Sequence, residues 1–98
     1  MNGFDDIKRL FVELQKNNAI EIKRVSMVIG LVIKENETDE NVISHIFDKL
    51  LDCAFIDDES VKPLFDMLAN YCMAFNPELA LDYKKTYNEF FDESSMKL

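Results

Sequence analysis

Apolar residues recur along this chain at helical spacing. Phe4, Ile7, Leu10, Phe11 and Leu14 fall at i, i+3, i+6, i+7 and i+10, which predicts a first helix from about Phe4 to Asn17. Asp5 and Asp6 sit in its first turn, where the helix dipole favours negative charge. Asn17-Asn18 is the expected stop. Ala19 to Lys34 is rich in β-branched residues (Ile20, Ile22, Val25, Val28, Ile29, Val32 and Ile33), which raises strand propensity. Alternation nevertheless fails from Val25 onward, and Ile22, Val25, Val28/Ile29 and Val32/Ile33 keep a helical stripe. The segment is also long for a strand, so a second, central helix is predicted. Gly30 in its middle costs about 1 kcal/mol against Ala, a cost expected to be offset by close approach of another helix.

Glu35 to Asn41 is polar and reads as a turn with Thr38 as the N-cap of a third helix. That helix carries Val42, Ile43, Ile46, Phe47, Leu50, Leu51 and Ala54 on one wide face, with Asp48 and Asp52 opposite. Asp57-Asp58-Glu59-Ser60 is the next turn. Ser60 as N-cap would place Pro63 at the third helical position, where a missing N–H loses no intrahelical bond. The fourth helix then presents Val61, Leu64, Phe65, Leu68, Cys72 and Phe75. Asn76-Pro77 is an N-cap followed by Pro at the first helical position, and it opens a fifth helix with Ala80, Tyr83, Tyr87 and Phe90 on one stripe. The expected fold is all-α, a compact single-domain bundle of about five helices over residues 1–98, with 92–98 as a frayed tail.

Composition agrees with a helical domain. Apolar residues are 48% of the 98-residue chain, while Gly and Pro number two each, too few for the turns of an all-β fold or for a phosphate-cradling loop. The start lacks a basic region followed by an apolar one, and the run Val25–Ile33 is too short to span a bilayer. A cytoplasmic protein with reduced Cys53 and Cys72 is expected.

Charge changes the picture more. Residues 1–34 carry six Lys/Arg and four Asp/Glu, whereas 35–98 carry five Lys and fifteen Asp/Glu. A net charge of −8 opposes nucleic-acid and anionic-membrane binding, and attracts basic protein surfaces at long range.

No motif points to catalysis. His45 is the only histidine and has neither a nucleophile at helical spacing nor a second imidazole. Two cysteines nineteen apart cannot build a zinc site, and a reactive thiol wants a positive neighbourhood. The acid-rich turns lack the alternating ligands and central Gly of a calcium loop. Phosphate-loop, nucleophile-elbow and zinc-protease patterns are all missing. No enzyme, metal or cofactor is expected.

The expected function is therefore protein binding. Glu35, Glu37, Asp39, Glu40, Asp48, Asp52, Asp57, Asp58 and Glu59 are the candidate surface for a basic partner such as a nuclease toxin. In size, charge and helicity the chain resembles bacterial toxin-immunity proteins, a similarity of character over its whole length. The alternative is an adaptor or regulatory subunit that docks, or homo-oligomerises, through Tyr83, Tyr87, Phe90 and Phe91 on the fifth helix.

Overall fold

The computed structural model describes residues 3–91, with the side chains of residues 9, 10 and 12–91. Three helices account for them: α1 (Gly3–Lys34), α2 (Glu40–Met73) and α3 (Pro77–Phe91). No strand occurs among the described residues. The all-α expectation holds, but the count is three helices and not about five. The tail expected to fray, residues 92–98, lies outside the described residues.

The first correction is at Asn17-Asn18, where α1 runs straight through. Asn18 is buried, and its Nδ2 donates to the Cys53 carbonyl at 3.0 Å. An Asn side chain that often competes with the helix locally is spent here on a tertiary bond. The β-branched segment after it is helix as expected, and its Val25, Ile29 and Val32 are buried in the core.

α1 ends in a Schellman motif. Asn36 takes the left-handed conformation (φ 55°), Asn36 N–H bonds Ile33 O at 3.2 Å, and Glu37 N–H bonds Val32 O at 3.0 Å. The next cap is Asp39, one residue beyond the expected Thr38. Its Oδ1 accepts from the N–H groups of Asn41 (2.8 Å) and Val42 (3.4 Å).

α2 is one helix in name only. Asp57 has φ −151° and ψ 78°, outside the helical region. In a straight helix Phe47 and Phe65 would stand about 27 Å apart; their ring centroids are 5.2 Å apart. The chain therefore reverses at Asp57, and residues 40–56 and 58–73 lie side by side as antiparallel limbs. The Tyr71 hydroxyl, near the end of the second limb, donates to the Glu37 carbonyl just before the first, at 2.6 Å. Asp57 caps its own successor: its Oδ1 accepts from Ser60 N–H at 3.1 Å. The cap expected at Ser60 thus sits three residues earlier. Pro63 falls deeper in the helix than expected, and has no N–H to offer the Glu59 carbonyl.

α3 begins as predicted, with Asn76 Oδ1 accepting from Leu79 N–H at 3.3 Å and Pro77 as first helical residue. Among the described residues, both α1 and α3 pack on α2 and not on each other. Ile29, Ile43, Phe47, Leu50, Leu68 and Cys72 are fully buried at the centre. Gly30 is not a point of close approach: a Cβ there would meet nothing within 4 Å.

Candidate functional site

The predicted acidic residues do not form one face. Asp39 caps the start of the first α2 limb and Asp57 stands past its far end, capping the second limb; at 1.5 Å per residue the first limb is about 26 Å long. Glu35, Glu37, Asp39 and Glu40 belong to one end, with Glu37 half-buried under Tyr71. Asp57, Asp58 and Glu59 belong to the other.

The two acids between them are drawn apart. Asp48 Oδ1 accepts from the Tyr83 hydroxyl at 2.8 Å, so it faces α3. Asp52 lines a cleft of about 280 Å³ towards α1, with Asn17, Asn18, Glu21, Lys49, Cys53 and Ile56. Lys49 Nζ stands 3.9 Å from Glu21 there, which partly neutralises the local field.

The aromatic docking face expected on α3 is also divided. Tyr87 is only 3% exposed and Tyr83 is half-buried, stacked on Phe47 with centroids 4.5 Å apart. Burial and the Asp48 carboxylate push the Tyr83 hydroxyl up to about 12. Burial, with Asp58 and Asp66 nearby, pushes Tyr87 to about 12 as well. These two tyrosines are core anchors. Phe90 is exposed and Phe91 half-buried, so only they remain for docking.

Phe55 is the residue the sequence reading missed. It lies off the main apolar stripe of its limb, directly before the Asp57 reversal, and is 64% exposed. Its ring meets Phe91 at 5.0 Å and Phe90 at 5.6 Å. Through Tyr87 and Phe65 these rings continue inward to Phe47. An aromatic path thus runs from the centre of the core to an open corner.

At that corner the second acidic turn and the surviving aromatics converge. Asp58, Glu59, Lys62, Pro63, Tyr87, Asn88 and Phe91 line an open cleft of about 780 Å³. Lys62 Nζ lies 5.4 Å from the Tyr87 ring centroid and 2.9 Å from Asp66 Oδ1. A cation over an aromatic face beside a carboxylate is already present in this cleft.

The chain matches no family model, no curated protein and no solved structure.

Other chemistry finds little support in the arrangement. Both thiols are buried, and burial pushes each above its ordinary value, with Glu21 and Asp52 adding to the effect at Cys53. The Cys72 thiol also donates to the Asn76 carbonyl at 3.4 Å. His45 is exposed, near Glu21, Arg24 and Lys49. Among the described residues, no group of three or more His, Cys, Asp or Glu is placed to hold a metal ion, and no helix is long and apolar enough to cross a membrane.

Proposed function

We propose that this chain is a protein-binding module that takes a basic partner at the corner where α2 reverses and α3 ends. The observation that carries the reading is the convergence of Asp58 and Glu59 with Phe91 around one cleft floored by Tyr87, with the exposed Phe55 and Phe90 packed beside it on Phe91. Lys and Arg side chains have an apolar stem and a charged head. The aromatic wall suits the stem and the carboxylates suit the head, while aromatic anchors supply most of the energy in many interfaces. The remaining acids on 35–98 steer approach.

In its most specific form the module is an immunity- or antitoxin-type inhibitor that covers the positive groove of a toxin such as a nuclease. The adaptor reading draws on one observation, the exposure of Phe90 and Phe55, and it predicts binding that barely responds to salt.

The test is capture of the partner from the native host with the tagged chain, eluted in a salt gradient, followed by association kinetics on the purified pair. Asp58→Lys with Glu59→Lys should slow association about tenfold or more at low salt and flatten its salt dependence. Phe55→Ala with Phe90→Ala should act mainly on dissociation. A partner whose kinetics ignore both variants would overturn the assignment.

A further inference from the structure

α1 carries two apolar stripes, and α2 covers one of them. Val25, Ile29 and Val32 are buried, whereas Ile20, Met27 and Leu31 are 52%, 66% and 58% exposed. The exposed three fall at i, i+7 and i+11. They lie within about 40° of one another around the helix, on the side opposite the buried three, and span about 17 Å of its axis. Among the described residues α1 packs on α2 alone, so this outward side has no partner within the chain.

The charges that border the outward stripe share one sign. Lys16, Lys23 and Lys34 lie along one edge and Arg24 along the other, and all four are exposed. Residues 16–34 contain a single acid, Glu21, and it turns towards α2. Its carboxylate stands 3.9 Å from Lys49 Nζ and 3.9 Å from the Arg24 guanidinium, so two bases already share it. In a chain of net charge −8, this strip reverses the local field.

Four bases and no acid around an apolar ridge select the occupant by charge. A two-fold contact sets the same patch against itself, and this strip repels its own copy. An anionic membrane surface would also meet Glu35, Glu37, Asp39 and Glu40, which follow directly after Lys34. Three aliphatic side chains with no aromatic among them give such a surface little to hold. A helix laid along α1 fits the strip in both respects. Its apolar face meets Ile20, Met27 and Leu31, and acids at the borders of that face meet the four bases.

We infer that the outward strip of α1 docks an acidic amphipathic helix of another protein. This surface is separate from the Phe55–Phe90 corner and does not depend on the reading given for that corner. The probe is a fluorescein-labelled helical peptide with leucines on one face and glutamates at its borders, titrated with the full chain and followed by anisotropy. Two controls accompany it: the same composition with the leucines spread around the helix, and the same leucine face bordered by lysines. The acidic amphipathic peptide should bind at least about tenfold more tightly than either. Lys23→Glu with Arg24→Glu should weaken it about tenfold or more and remove most of its salt dependence. Met27→Ser with Leu31→Ser should weaken it by a similar factor and leave the salt dependence in place. All four side chains are exposed, so circular dichroism and thermal melts of the variants should match the wild type. Asp58→Lys with Glu59→Lys, at the other corner, should retain peptide binding. Equal affinity for the three peptides would overturn the inference, as would binding that ignores the α1 variants. So would co-sedimentation with vesicles of phosphatidylserine and phosphatidylcholine in preference to the peptide, or self-association of the chain through Met27 and Leu31.

Discussion

The Tyr83 hydroxyl donates to Asp48 Oδ1 at 2.8 Å while its ring stacks on Phe47 at 4.5 Å, so one side chain ties α3 to the first limb of α2 in two ways. The two contributions are separable. Tyr83→Phe keeps the stack and loses the bond, and should cost about 1 kcal/mol. In a domain of this size that corresponds to a fall in melting temperature of about 4–8 °C. Asp48→Ala should cost a similar amount, and the double variant little more than either alone. Additive losses in chemical denaturation would mean that the bond contributes nothing.

The same burial predicts alkaline sensitivity. Tyr83 and Tyr87 hold their protons to about 12 in the fold, whereas an unfolded tyrosine releases its proton near 10. Between these values the native state binds more protons than the unfolded one, so stability falls as pH rises. It should be unaffected by these groups below pH 9 and decline between about 10 and 12. Tyrosinate absorbance should show the late titration directly, and melts across that range should show the decline.

Asn18 supplies a donor where a helix end needs one. Asn18→Ala should destabilise by about 1–2 kcal/mol, because the Cys53 carbonyl loses its partner in a buried place. Asn18→Asp is nearly isosteric and should cost more, since an ionised carboxylate cannot donate and would face a carbonyl oxygen. Thermal melts of both variants check the order.

Gly30 predicts a gain. A methyl group at this position meets nothing within 4 Å, and Ala exceeds Gly in helix propensity by about 1 kcal/mol. Gly30→Ala should raise stability by roughly 0.5–1 kcal/mol in urea unfolding. A loss would show that another molecule packs closely on this face of α1.

Much of the architecture was legible in residue spacing. The 3.6-residue stripe carried the helices, and Asn76-Pro77 marked a boundary that needs only local chemistry. What failed were places where a polar side chain has two uses. Asn17-Asn18 looks like a stop, yet Asn18 serves a tertiary bond that no local window contains. Thr38 and Ser60 are good caps by type, but the free N–H groups of the two limbs are taken by the side chains of Asp39 and Asp57. Of the expected surface, the acids of the second turn and the last two phenylalanines of α3 come together, while Tyr83 and Tyr87 turn inward. Spacing places all four aromatics of α3 near one stripe, and only the position of Phe47 and Phe65 decides which are covered. Phe55 could have been found as a large apolar residue off its stripe beside a turn.

Among the described residues α1 and α3 each pack on α2 and make no contact with each other, which bears on how the molecule assembles. Most of the packing joins segments adjacent along the chain, across connections at residues 35–39 and 74–76 and the reversal at Asp57, and only α3 reaches back past a neighbour, through Tyr83 to the first limb of α2. Little loop entropy has to be lost before a contact is rewarded, so the search is local and folding belongs on the microsecond-to-millisecond scale of low-contact-order helical domains. The same connectivity lets α3 detach without separating α1 from α2, and partial openings of the native state should begin at that end, exposing Phe47 and Phe65 last on the path inward.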